Sequence, residues 1–204
     1  VKKGLNENMD NTFLAMLFRM RHISRWSLMF NTQQENLMQH TAECAFITHF
    51  LAIVGNNCFN KNYNADKLCA YALFHDASEV LTGDMPTPVK YFNEEIKSAY
   101  KDIEKIACER LLAHLPPELR SVYSTYLDRG NLEPDERKLI KIADKLCAYL
   151  KCTAELNAGN KEFEAASISI RRQLDSIESE ELRYFLDNCT DSFTLSLDNL
   201  KGAL

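Results

Sequence analysis

The stretch Phe74-His75-Asp76-Ala77-Ser78-Glu79, followed by Leu81-Thr82-Gly83-Asp84-Met85-Pro86-Thr87-Pro88, concentrates the chemistry of this chain. His75 and Asp76 together offer an imidazole nitrogen and a carboxylate oxygen, a mixed pair that divalent transition metals accept readily. Glu79 lies four residues after His75 and three after Asp76. On a continuing helix all three project from neighbouring positions of one face. The chemistry implied is metal-assisted: an ion on the first two residues, and a carboxylate beside it to handle the protons of a bound water.

One doublet is not a complete site, so other elements must bring ligands to it. Asn36 reads as the N-cap of a helix through Leu37, His40, Ala45, Phe46, Phe50 and Leu51, stopping at Gly55-Asn56-Asn57. His40 falls in its first turn. Alone it reads as a surface or capping residue; it becomes a candidate ligand because Glu43 and His49 are also present and the doublet needs partners. Asn64 caps a helix from Ala65 to about Val80, whose Leu68, Ala72, Leu73 and Phe74 make it apolar nearly all round and therefore central and buried. Placing His, Asp and Glu in its C-terminal half is costly unless they are paired or bound. Gly83, Pro86 and Pro88 then impose a stiff loop. Pro134 fits the first position of a helix with Asp135 and Glu136 at its positive end, running through Ile140, Ala143, Asp144 and Cys147 to Asn157-Ala158-Gly159-Asn160. Asp144 lies on the apolar face of that helix. Either it turns to solvent or it has a partner.

The remaining segments are helical as well. Asn11 to about His22 carries Phe13, Leu14, Leu17, Phe18 and Met20 at helical spacing and leads into Arg25-Trp26. That pair has two readings: a core aromatic beside a solvated Arg, or an anion-binding guanidinium beside an aromatic wall. Asn93–Leu112 offers Tyr100, Ile103, Ile106 and Leu111 to the core, and Pro116-Pro117-Glu118 begins a helix ending near Leu127. Helices of about Lys161–Ile177 and Glu180–Asn188 follow. With no repeat and no run of alternating strands, the fold class is all-α, in one domain over residues 1–204.

A net charge of −5 gives no global electrostatic reason to bind a nucleic-acid polymer, although a local basic pocket for a small phosphate stays open. No apolar run reaches membrane-spanning length, and the N-terminal residues lack the apolar core of a secretory signal. Seven cysteines without a C-x-x-C pair read as reduced thiols in a cytoplasmic protein, several packed as small apolar residues, and not as a thiolate zinc site.

His40, His75-Asp76 and Asp144, in this order on successive helices, resemble the H…HD…D ligand set of the HD-domain metal-dependent phosphohydrolases. The surrounding text is more specific: Arg25-Trp26, Glu35-Asn36, His75 through Asp84, Pro86 through Phe92, and Ala143 through Leu150. Over nearly the whole chain it is similar to the bacterial 5'-deoxynucleotidases of that superfamily. The resemblance implies an HD-domain helical bundle and a homodimer. It also implies hydrolysis of deoxyribonucleoside 5'-monophosphates with one divalent metal ion. By that resemblance His40, His75, Asp76 and Asp144 bind the metal. Arg25 orients the phosphate and, with Glu79, serves catalysis. Trp26, Asp84, Met85, Pro86 and Thr87 contact the nucleotide, together with His40, Asp76 and Asp144. Two imidazoles and two carboxylates suit Co or Mn first, with Fe, Ni, Cu, Zn or Mg as alternatives.

Two other readings stand beside this one. An HD hydrolase of triphosphates or cyclic nucleotides needs more basic residues, for which Lys90 and Lys145 are the nearest candidates, both expected as solvated side chains. A helical module that binds nucleotide without chemistry has no need to keep Glu79 with all four ligands.

Overall fold

The computed structural model describes residues 11–90 and 92–201, the side chains of 87 and 129 excepted. Its helices are α1 (Phe13–Leu17), α2 (Leu37–Cys58), α3 (Ala65–Phe74), α4 (Glu79–Thr82), α5 (Thr87–Lys90), α6 (Glu94–Ala113), α7 (Pro117–Leu127), α8 (Pro134–Asn157), α9 (Glu164–Asp175), α10 (Glu180–Asn188) and α11 (Leu197–Leu200). Among the described residues the extended pairing is a single bridge, Ser24 with Asn36. The architecture is all-α, as the sequence predicts.

The caps start helices where side-chain acceptors meet orphan N–H groups. Asn36 Oδ1 accepts from Gln39 N at 3.0 Å, Asn64 Oδ1 from Lys67 N at 2.9 Å, and Asn93 Oδ1 from Ile96 N at 2.8 Å. Pro134 opens α8, where the Glu133 N–H donates to Glu136 Oε2 at 3.0 Å.

By internal packing the chain divides into two compact units. The first comprises Val1–Leu28, Gln34–Ala42 and Leu73–Leu132. Its core is Phe13, Ala77, Leu111 and Leu115, with Phe74, Val80, Tyr123 and Leu127 packed against them. The edge of Phe13 meets Tyr123 at 4.9 Å between centroids. Thr12 N donates to His114 O at 3.1 Å, tying the start of α1 to the end of α6.

The second unit comprises Met29–Gln33, Glu43–Ala72 and Glu133–Leu204. Here α8 runs against α9, burying Leu139, Ile142, Leu146, Phe163 and Leu174. Its chief polar anchor is the buried Glu155, which accepts from Thr32 Oγ1 at 2.6 Å, Thr32 N at 2.9 Å, Gln33 N at 3.1 Å, Asn160 Nδ2 at 2.9 Å and Lys151 Nζ at 2.5 Å. Burial alone raises such a carboxyl; the bonds from Lys151, Thr32 and Asn160 outweigh it and hold Glu155 below its ordinary range.

Several expectations shift. The helix expected to reach Val80 stops at Phe74, and residues 75–78 form a turn. α2 continues past Gly55 to Cys58, because that glycine serves close approach and not a stop: a Cβ there would lie 2.7 Å from the Tyr63 ring. The segment expected as one helix from Lys161 is a 3₁₀ turn, Lys161–Phe163, followed by α9. Tyr100, Ala107 and Leu111 form the buried stripe of α6, whereas Ile103 and Ile106 lie exposed on its flank. Leu73 and Phe46 are exposed too, Phe46 by 77%. The seven cysteines are free, with Cys44, Cys147 and Cys152 buried.

Candidate active site

The Ser24–Asn36 bridge sets the first wall. Arg25 N donates to Glu35 O at 3.0 Å and Leu37 N to Ile23 O at 2.9 Å, so the Arg25-Trp26 segment is clamped across the start of α2. Trp26 between these bonds adopts φ 56°, the left-handed region, which costs a bulky L-residue about 1–2 kcal/mol. Such strain persists where the surroundings over-determine the backbone. The Trp26 side chain is half-buried.

The second wall forms where α3 ends. From Phe74 onward the backbone tightens to bonds three residues apart: Ala77 N to Phe74 O, Glu79 N to Asp76 O, and Leu81 N to Ser78 O. His75 and Asp76 are thus presented from a turn and Glu79 from the first residue of α4, not from one continuous helical face. Gly83 closes α4 at φ 75°, a conformation L side chains rarely adopt, and releases the chain into Asp84, Met85 and Pro86. Those three are half-buried in a non-helical link; Thr87 opens α5, its side chain outside the described ones.

These walls bring His40, His75 and Asp76 together, with one ligand atom from each lying within 4.8 Å of the others. His75 Nε2 is 3.0 Å and His40 Nε2 3.5 Å from Asp76 Oδ2, and the two rings stand edge to face at 5.2 Å. Both imidazoles are buried. An ion with bonds of about 2.1 Å has adjacent octahedral ligands about 3 Å apart, so the spacing fits a single divalent metal. Burial pushes the Asp76 carboxyl up, but the charges and hydrogen bonds of His75 and His40 outweigh it and hold Asp76 well below its ordinary value. A carboxylate that stays ionised is what a cation site needs.

Arg25 is not solvated. Its side chain is 12% exposed, with Nε 2.9 Å from Glu35 Oε1 and Nη1 3.7 Å from Asp76 Oδ2. Glu35, buried, also faces His40 Nδ1 at 3.6 Å. Sequence reasoning passed over Glu35 as a site residue, and its one signal was a carboxylate next to the cap Asn36. It also expected a solvated Lys90, whereas Lys90 Nζ lies 2.9 Å from Glu104 Oε1, 3.8 Å from Glu79 Oε1 and 4.5 Å above the Tyr100 ring. Glu79 is buried, and its Oε2 has no hydrogen-bond partner among the described residues. Burial first, then the charges of Asp76 and Asp84, raise the Glu79 carboxyl from 4.5 to about 8, against the opposing pull of Lys90 and Arg25. Burial likewise raises Asp84, partly countered by Arg25.

Asp144 belongs to the second unit, half-buried on α8 beside the buried Ala143. It is not among the three residues grouped above. Lys145 is occupied elsewhere on that helix, donating to Gln173 Oε1 at 2.6 Å. A cavity of about 770 Å³ in the same unit, lined by Phe59, Tyr63, Lys138, Glu181 and Tyr184 among others, shares no residue with the site.

The chain is similar to several known proteins. A family model described as 5'-deoxynucleotidase YfbR-like matches residues 12–193. A 5'-deoxynucleotidase of Enterobacter sp. strain 638 is 48% identical over 188 residues, covering 92% of this chain and 94% of that protein. The 5'-deoxynucleotidase YfbR of Escherichia coli is 46% identical with the same coverage. Among solved structures, an HD-domain phosphohydrolase of Listeria innocua superposes with a TM-score of 0.79 at 23% identity, covering 93% of this chain and 92% of that one. The cyanophage S-2L HD phosphohydrolase DatZ, bound to dA and one catalytic Zn²⁺ ion, superposes with a TM-score of 0.59 at 22% identity, covering 88% of this chain and 95% of its own.

Proposed function

This chain belongs to the YfbR-like 5'-deoxynucleotidases, and on that premise we propose that it hydrolyses deoxyribonucleoside 5'-monophosphates at the His40–His75–Asp76 group, with Asp144 as a further metal ligand. It is a 5'-deoxynucleotidase, a phosphohydrolase of the HD-domain fold. The observation that carries the site assignment is the convergence of two buried imidazoles and a carboxylate within 4.8 Å.

The proposed cofactor is one divalent ion, Co or Mn before Fe, Ni, Cu, Zn or Mg, and the single Zn²⁺ of DatZ supports a mononuclear site. When bound, the ion supplies Lewis acidity to the phosphoryl oxygens and lowers the pKa of water. Glu35 turns the His40 ring so that Nε2 faces Asp76, the role outer carboxylates play toward ligating imidazoles. Arg25, fixed through Nε by Glu35, orients the phosphate by charge-assisted hydrogen bonds. Trp26 lines the sugar side, and Asp84, Met85, Pro86 and Thr87 contact the nucleotide from the link between α4 and α5. Glu79, raised toward 8 in the metal-free protein by burial first and then by Asp76 and Asp84, is suited to hold a proton near neutral pH. It would hand that proton to the 5'-oxygen as water attacks phosphorus and the P–O5' bond breaks, so that the products are a neutral deoxynucleoside hydroxyl and phosphate.

The proposal extends to one HD-type domain over residues 1–204, a homodimer, and a cytoplasmic location; among the described residues no helix is long and apolar enough to cross a membrane. Phosphate release from deoxynucleoside mono-, di- and triphosphates with added Mn or Co tests it. Release is expected from the monophosphates, and preferential turnover of triphosphates would replace this reading with the triphosphohydrolase one.

A further inference from the structure

We infer that Lys90 is a positioning residue, holding the Glu79 carboxyl in register with the Asp84–Thr87 segment. The inference rests on the reading of Glu79 as the proton-handling group and deepens it. Lys90 is the last residue of α5, three residues after Thr87. Its ammonium is gripped from two other helices: Glu104 on α6 at 2.9 Å, the face of Tyr100 on α6 at 4.5 Å, and Glu79 on α4 at 3.8 Å. Thr82 Oγ1, at the end of α4, lies 3.5 Å from Tyr100 Oη and closes the circuit. The short helix that follows the nucleotide-contacting link is thereby pinned to the helix that carries Glu79.

The grip is one-sided in a way that suits chemistry. Lys90 makes its short bond to Glu104 and stands off Glu79 by 3.8 Å, so its charge orients the carboxyl without a hydrogen bond to it. Glu79 Oε1 faces that cation, while Oε2 is buried without a hydrogen-bond partner among the described residues. The charged groups acting on Glu79 are Asp76 and Asp84, of like sign, and Lys90 and Arg25, of opposite sign. Arg25 is held at Glu35 and faces Asp76, whereas Lys90 stands before Glu79 Oε1. A solvated lysine needs none of these partners.

The test is kcat and KM on a deoxynucleoside monophosphate for the metal-loaded enzyme and four variants: Glu79→Gln, Lys90→Met, Lys90→Arg and Glu104→Gln. Glu79→Gln sets the loss that follows when the carboxyl itself is gone. Lys90→Met is expected to keep its metal and to lower kcat by about tenfold or more with KM changed less than about threefold. Lys90→Arg should recover most of the loss, and Glu104→Gln should fall between. Lys90→Met with parental kcat overturns the inference, as does Lys90→Arg behaving like Lys90→Met. If Lys90→Met fails to fold, Glu104→Gln carries the test, and parental kcat in it is equally fatal. Should Glu79→Gln retain parental turnover, the reading of Glu79 falls and takes this inference with it. A dead Glu79→Gln beside an unaffected Lys90→Met removes the inference alone.

Discussion

Replacing Glu79 with Gln should change how the metal-free protein responds to pH, in a direction set by its burial. The carboxyl is raised from 4.5 to about 8, first by desolvation and then by Asp76 and Asp84. Between those values the folded state keeps a proton that the unfolded chain has lost, so the contribution to stability is full below 4.5 and is lost as pH rises through about 8. A shift of about 3.5 units corresponds to about 5 kcal/mol at about 1.4 kcal/mol per unit, an upper bound because water entry and movement of Lys90 relieve part of the cost. A loss of about 2–5 kcal/mol between pH 5 and 9 is therefore expected of the parent beyond that of Glu79→Gln, whose amide has no proton to lose. Urea unfolding of both proteins after chelator treatment, at several pH values with a common slope, gives the difference directly. Parallel profiles would refute the reasoning and make Glu79 an ordinary ionised carboxylate.

Asp144→Ala should abolish metal binding and hydrolysis together, and metal analysis of the purified variant decides whether Asp144 is a ligand: full occupancy removes it. Trp26→Ala should raise kcat/KM on AMP relative to dAMP by roughly ten- to two-hundredfold if the indole excludes the 2'-hydroxyl, whereas Asp84→Ala should depress both substrates together. Glu155→Ala should destabilise the protein by about 3–5 kcal/mol, because it strands the Thr32 and Gln33 amides and takes the carboxylate from Lys151, as measured by urea unfolding. With its pKa lowered by Lys151, Thr32 and Asn160 against burial, Glu155 contributes fully above its unfolded value of 4.5, and that contribution is lost as pH falls through the lower folded value.

The residues that speak through their nearest neighbours were legible in the sequence. Asn36, Asn64, Asn93 and Pro134 start helices because a cap acts within three residues of itself, and the all-α class follows from those starts and from spacing. His40, His75 and Asp76 were found by residue type and order, and the fold brings their ligand atoms to one point. What the sequence hid depends on atoms far along the chain. Lys90 looked like a solvated lysine because Glu104, Tyr100 and Glu79 meet it only after α4, α5 and α6 pack. Leu73 and Ile103 looked like core because apolar spacing marks a broad stripe, and packing chooses which flank of it is covered. The turn at residues 75–78 interrupts a pattern that reads as continuous helix, since helical periodicity records which side chains are apolar and not whether the backbone bonds span three residues or four. Residue chemistry and local caps are written in sequence order; burial, ion-pair geometry and the raised Glu79 carboxyl are properties of a low-dielectric interior that exists only once the chain has packed.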